Sequence, residues 1–248
     1  MALREEMEQQ GLWLFKWRSY LPLLILPLLI FAMRDFEVLE RYMGAKVSDI
    51  WESLAVIISF MGLGIRCMVA GYVPRGTSGR NTQTQVASTL NSTGMYSICR
   101  NPLYLGNFVI MIGITLFLQT WWLALIVWVG FWLYYERIIF AEEAFLRNKF
   151  GDTFLNWAAK TPMIIPRFKN WQKPALPFSL KTMLRREFTT YMATVAPFFF
   201  IELIGSSIEK KRLFVHSSWL IFFIVSLIIY NVFFFLKKKT HILDVEGR

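Results

Sequence analysis

The sequence predicts an all-α fold, a polytopic integral membrane protein of about six transmembrane helices. Three observations carry that prediction. Apolar residues make up 55% of the 248-residue chain, above the roughly 45–50% of soluble domains. They gather in runs at about 19–33, 50–70, 103–118, 121–140, 189–208 and 217–236. Basic residues stand between the runs and are shared unequally by the two sides those runs define.

The first run, SYLPLLILPLLIFAM, carries Pro22 and Pro27, which lack backbone donors, so a kinked or tilted helix is expected. The second, 50–70, is long enough to cross outright. The third, 103–118, is short against a hydrocarbon layer of about 30 Å. Only Gln119 and Thr120 separate it from WWLALIVWVGFWLYY, which predicts a tight helical hairpin. QKPALPF (172–178) then sets off a C-terminal helix pair. The chain thus divides into two N-terminal helices (1–70), a central core (71–170) and the C-terminal pair (171–248). The start, MALREEMEQQGLWLFKWRSY, reads as mature protein, because a short basic region and a small-residue cleavage site are both missing.

A net charge of +10 raises the question of nucleic acid. The basic residues flank apolar runs, however, so membrane orientation explains them and no nucleic-acid partner is expected. With cytoplasmic termini, nineteen Lys and Arg fall on the cytoplasmic side and six on the other, leaving aside Arg66 and Arg137 within or at the ends of spans. Cys67 and Cys99 imply no disulfide framework and fit a reducing face. With only His216 and His241, both near the C-terminus, a His-based metal centre or a Ser/His triad is not expected.

Two polar clusters interrupt this pattern. One runs from Arg75 to Tyr104, RGTSGRNTQTQVASTLNSTGMYSICRNPLY. Its Pro102 is tolerable at a helix start, where the first turn has donors to spare. The other, YYERIIFAEEAFLRNKFG (134–151), sets Glu142 and Glu143 where the fourth helix leaves the membrane, near Tyr134 and Tyr135. Each has an ordinary reading. The second is also a solvated helix with a Glu143–Arg147 pair at (i, i+4), and the RGTSGR stretch is also a plain interfacial loop. Together, on one predicted face, they mark a site, since polar groups at a membrane mouth are functional by default. A small transporter subunit is the non-enzyme alternative, but it predicts polar residues in mid-span rather than at helix mouths.

GMYSICRNPLYLG, a hairpin, then EEAFLRNKFGDTF and PMIIPR resemble the isoprenylcysteine carboxyl methyltransferase and phospholipid methyltransferase group of membrane enzymes. The family pattern is G-x-Y-x-x-x-R-H-P-x-Y-x-G, paired glutamates, F-G-x-x-Y and a proline-flanked exit. The match covers roughly 71–167, making 71–170 the methyltransferase core. The resemblance implies S-adenosylmethionine in a pocket open to the cytosol, with a lipid acceptor arriving sideways from the bilayer. It assigns cofactor contacts to Tyr96, Asn101, Pro102, Leu103, Tyr104, Glu142 and Glu143, and more loosely to Ser88 to Asn91. Arg100, Asn101 and Arg137 are the expected catalytic residues.

Three departures bear on the acceptor. Asn101 replaces the usual His, Phe154 stands where Tyr is common, and the acceptor-binding arginine has no counterpart in register. Ile138 holds that position, with Arg137 one residue off. An amine acceptor must lose a proton to a base near neutral pKa, and no histidine lies near the motif. A carboxylate or phosphate oxygen needs no base. Arg75 and Arg80, among glycines and hydroxyls in RGTSGRNT, suit a phosphate. Together with Arg137 they are the expected substrate-binding residues. Bacterial members with a similar loop and RNPLY look like lipid A phosphate methyltransferases. The expected acceptor is therefore the 1-phosphate of lipid A, at a bacterial inner membrane with the termini and site cytoplasmic. A prenylcysteine-type carboxyl group and a phospholipid amine are the alternatives.

Overall fold

The computed structural model describes residues 2–18, 20–33, 36, 38–74, 76, 85 and 87–248, with Pro22 described by its backbone alone. Helices are α1 (Leu3–Trp17), α2 (Leu26–Ala32), α3 (Val38–Met43), α4 (Ala45–Tyr72), α5 (Met95–Ile98), α6 (Pro102–Phe117), α7 (Trp121–Phe150), α8 (Asp152–Ala158), α9 (Leu180–Glu209) and α10 (Ser217–Lys239). No strand occurs among the described residues. Helices α4, α7, α9 and α10 are long and apolar enough to cross a membrane, and two shorter apolar helices accompany them. The chain is an all-helical polytopic membrane protein.

The run at 19–33 departs from a single helix. It forms a 3₁₀ turn, Leu21–Ile25, followed by the short α2, and each begins with a proline in its first turn. A proline can start a turn but cannot donate to the one before it, so two prolines five residues apart cut the run in two. The segment still follows α7 for most of its length. Arg18 approaches Glu142 near the C-terminal end of α7 at 3.8 Å, and Thr120, at the opposite end, donates to the carbonyl of Ala32 at 3.5 Å. Upstream, Gly11 lets α1 lie against the α7 backbone, since a Cβ there would collide with the carbonyl of Arg137.

Helices α4 and α6 pack closely through small residues. Gly62 faces the backbone at Gly106 and Ile110, Gly113 faces Ala55 and Ser59, and Ser59 donates to the Ile110 carbonyl at 2.8 Å. Lipid tails are as apolar as leucine, so such close backbone approach replaces hydrophobic burial as the adhesive. At the hairpin end Ala32, Met33, Phe36, Phe117, Leu118, Leu123 and Phe198 form a buried cluster. The hairpin turns at Gln119, which takes a left-handed φ of 58°. Its side chain accepts from the Leu39 amide and donates to Ser48, both at 2.9 Å, fixing α3 and α4 to the turn.

The C-terminal pair is joined to the rest through α9. Its buried Glu202 meets Ser206 at 2.9 Å and His216 at 2.7 Å. Beyond α10 the chain turns back: Leu243 is buried, Asp244 pairs with Arg185 at 2.7 Å, and Arg248 donates to the Gly71 carbonyl at 2.8 Å.

Candidate active site

The candidate site is assembled from three stretches. Residues 94–101 enter through Gly94, whose φ of 60° favours glycine and whose amide bonds the Gln172 carbonyl at 3.0 Å. The stretch then lies beside the segment that follows α8. Arg100 N bonds Pro162 O at 2.9 Å, Asn101 N bonds Met163 O at 3.2 Å, and Arg167 N bonds Ile98 O at 2.9 Å. This pairing explains why PMIIPR belongs to the motif: its backbone holds CRNP in place.

Arg100 is the rivet of that assembly. Its guanidinium grips both oxygens of Glu143, at 2.8 and 3.2 Å, and donates to the carbonyls of Ala158 and Thr161 at 3.0 and 2.7 Å. A planar fork with five donors and no acceptor suits one carboxylate and two carbonyls at once. α7, α8 and the motif are thereby fixed to one another. Asn101 spends its amide nitrogen on the Met163 carbonyl at 3.2 Å, which leaves its oxygen as acceptor. Pro102 is buried at the start of α6, where its missing donor costs nothing.

Glu142 stands one residue from that rivet and faces elsewhere. Its Oε1 accepts from the Tyr104 hydroxyl at 2.8 Å and lies 3.8 Å from Arg18, while Oε2 faces no described donor. On a helix, Phe131, Tyr135 and Glu142 share one stripe, being spaced four and seven residues apart. Tyr135 packs at 4.2 Å on Phe131 and 4.6 Å on Tyr104, ring centre to ring centre. A narrow crevice between Phe108, Phe131, Tyr135, Met163 and Ile164 continues this aromatic wall.

A cavity of about 180 Å³ is lined by Tyr72, Thr89, Leu90, Asn91, Met95 and Tyr96 and closed by 174–176. Ligand pockets commonly hold about 300 Å³ or more, so this volume suits part of a nucleoside-sized ligand. Burial pushes the Tyr96 hydroxyl well above its ordinary pKa, with the Glu142 carboxylate adding to the effect, so it stays a neutral donor. Nearby in sequence, Gln85 Nε2 is buried without a partner among the described residues.

The structure thus brings together Tyr96, Asn101, Pro102, Tyr104, Glu142 and Glu143, with Leu103 half-buried on the first turn of α6. Thr89 to Asn91, from the loosely matched stretch, line the cavity. Arg137 is placed apart, donating to Gln10 at 3.3 Å and Glu136 at 3.0 Å on the side covered by α1. It sits five residues from Glu142, about 140° around the helix. Arg75 and Arg80 lie outside the described residues. Sequence reasoning passed over Arg18, which reaches Glu142 from outside the motif, and Asn107, whose only signal was an amide one turn inside a span.

Fold and site define a helical membrane protein with a carboxylate-centred site at the mouth of its bundle. Residues 53–153 match the model of the phospholipid methyltransferase family. The nickel-cobalt-cadmium resistance protein NccN of Alcaligenes xylosoxydans xylosoxydans is 28% identical over 179 residues, 71% of this chain and 78% of the relative. The cobalt-zinc-cadmium resistance protein CzcN of Cupriavidus metallidurans is 31% identical over 129 residues, 52% of this chain and 55% of the relative. The protein-S-isoprenylcysteine O-methyltransferase of Schizosaccharomyces pombe is 31% identical over 77 residues, 31% of this chain and 33% of the relative. No solved structure matches. Family and yeast relative support a membrane methyltransferase. Among the described residues no three His, Cys, Asp or Glu side chains stand together as a metal site.

Proposed function

We propose that this chain is an S-adenosylmethionine-dependent O-methyltransferase of an anionic membrane lipid, with the 1-phosphate of lipid A as acceptor. The observation that carries the reading is the place of Glu142. Tyr104 holds its Oε1, and the Tyr104 ring packs on Tyr135, which lines the aromatic crevice. The donor set fits the cofactor. Glu142 Oε2 and Asn101 Oδ1 are acceptors for its hydroxyl and ammonium groups, and the Tyr96 hydroxyl is a donor for a ring nitrogen or its carboxylate.

Bound S-adenosylmethionine supplies a methyl group activated by its sulfonium. The protein's part is alignment and exclusion of water. Glu142 anchors the polar end, and Arg100 with Glu143 keeps the motif from drifting. Phe131, Tyr135 and Ile164 form a dry wall on the side of the lipid tails. A phosphate oxygen is anionic already, which agrees with a site whose titratable groups are a carboxylate and tyrosines rather than an imidazole. The Schizosaccharomyces relative keeps a prenylcysteine carboxylate as the second reading.

The test is methyl transfer from labelled S-adenosylmethionine by detergent-solubilised protein to purified lipid A, with phosphatidylethanolamine and a prenylcysteine as competitors. Label in lipid A is the expected result. Saturable cofactor binding with label only in phosphatidylethanolamine or the prenylcysteine overturns the acceptor. Absence of cofactor binding overturns the enzyme.

A further inference from the structure

The cavity beside Tyr96 takes part of its lining from the end of α4, Tyr72 to Pro74, and part from residues 174–176. Its volume of about 180 Å³ falls short of the roughly 300 Å³ of a ligand pocket, so the lining must part to admit a nucleoside-sized molecule. Residues that follow α10 hold these two parts together. Arg248 donates to the Gly71 carbonyl at 2.8 Å and to the Pro177 carbonyl as well. Gly71 directly precedes Tyr72, and Pro177 directly follows Leu176, so one guanidinium ties both parts of the lining. The rest of the seam is slight. The Ser179 amide donates to the same Gly71 carbonyl at 2.9 Å, and Phe178 packs on Gly71 and on the Tyr72 ring.

The residues before Arg248 are anchored in turn. Leu243 is buried, and Asp244 meets Arg185 of α9 at 2.7 Å and His241 at 2.8 Å. That stretch of α9 is braced across the bundle. Arg66 of α4 grips both oxygens of Glu187, at 2.9 and 3.1 Å, and donates to Asn107 of α6 at 2.8 Å. Arg248 therefore reaches Gly71 and Pro177 from a fixed base.

We propose that residues 240–248 form a strap that gates this cavity, and that Arg248 is the positioning residue that clasps α4 to the 174–178 segment and releases it as the cofactor enters or leaves. The proposal rests on the S-adenosylmethionine reading and names how access to that site is controlled. The chemistry of the clasp suits a gate. Arg248 holds two backbone carbonyls, and water satisfies a carbonyl in its place with little net loss. Arg100 grips a carboxylate as well as carbonyls and belongs to the fixed part of the site. The strap and α9 both lie outside the matched segment, so the motif carries no trace of this control.

The experiment uses the full chain in nanodiscs and two readouts. Hydrogen exchange over 174–179, which includes the Ser179 amide, reports the seam with no cofactor present. Arg248→Gln, and separately Asp244→Asn, should quicken that exchange about tenfold, the worth of one hydrogen bond from a charged donor. Exchange in the middle of α4 and α6 should not change. Rapid filtration with labelled S-adenosylmethionine reports the gate. In Arg248→Gln both association and dissociation should quicken about tenfold, so that Kd changes less than either rate. Arg248→Lys, which keeps three donors, should recover most of the wild-type behaviour. Unchanged exchange in both variants overturns the clasp. Faster exchange with unchanged cofactor rates overturns the gate, and so does faster dissociation with unchanged association. A wild-type protein that binds no S-adenosylmethionine, with the exchange still responding, retires the cofactor reading and the gating role with it. Should Arg248→Gln fail to fold, Asp244→Asn decides by the same two measurements.

Discussion

Two adjacent glutamates on α7 do different work because successive helical positions point about 100° apart. Glu143 is spent on Arg100, whereas Glu142 keeps an oxygen open. Glu142→Gln should therefore weaken S-adenosylmethionine binding about ten- to hundredfold, as read by equilibrium dialysis, since a charge-assisted hydrogen bond is lost. Glu143→Gln should instead lower the unfolding temperature, because it loosens a bidentate pair that holds three segments. Cys99 gives a pH prediction. Burial lifts its thiol from 9.0 to about 11, with nearby Asn101 and Arg100 only partly offsetting that. The reactive thiolate thus forms only as pH approaches that raised value. Maleimide labelling of Cys99 between pH 7 and 9 should be far slower in the folded protein than after denaturation. Equal rates would contradict the buried setting.

At the scale of elements, the small residues of α4 and α6 make the sharpest claim. Gly113→Val should drive a side chain into Ser59 and the carbonyl of Ala55, at a cost of about 1–3 kcal/mol, visible as a lower melting temperature in detergent. Gly64 has open space beside it, so Gly64→Ala on the same helix should be near neutral. The helices themselves were legible in the sequence because apolar runs of 16 or more residues admit little else. The hairpin was legible because Gln119 and Thr120 leave no room for a longer loop. The cleft run at 19–33 was only half legible: Pro22 and Pro27 announced a disturbance, but not that a 3₁₀ turn would absorb it. Within the site, Tyr104 and Glu142 could be named together from motif order. Arg18 and Asn107 could not, because each acts through a contact with a distant part of the chain that neither spacing nor periodicity encodes.

Across the whole molecule, the helices differ greatly in reach. Thirty residues of α7 extend about 45 Å and sixteen of α6 about 24 Å. α6, the shorter arm of the hairpin, carries Tyr104 on its first turn, where the hydroxyl holds Glu142. A hydrocarbon layer of about 30 Å meets a shorter helix by thinning around it. Headgroups beside α6 are then drawn inward, to the depth of the site. On the proposed function, a lipid acceptor would then meet the site without leaving its leaflet. Turnover should accordingly decline as vesicles are made from lipids of longer chains, while affinity for a water-borne cofactor stays constant. The missing turn of α6 would then be part of how a charged headgroup is delivered.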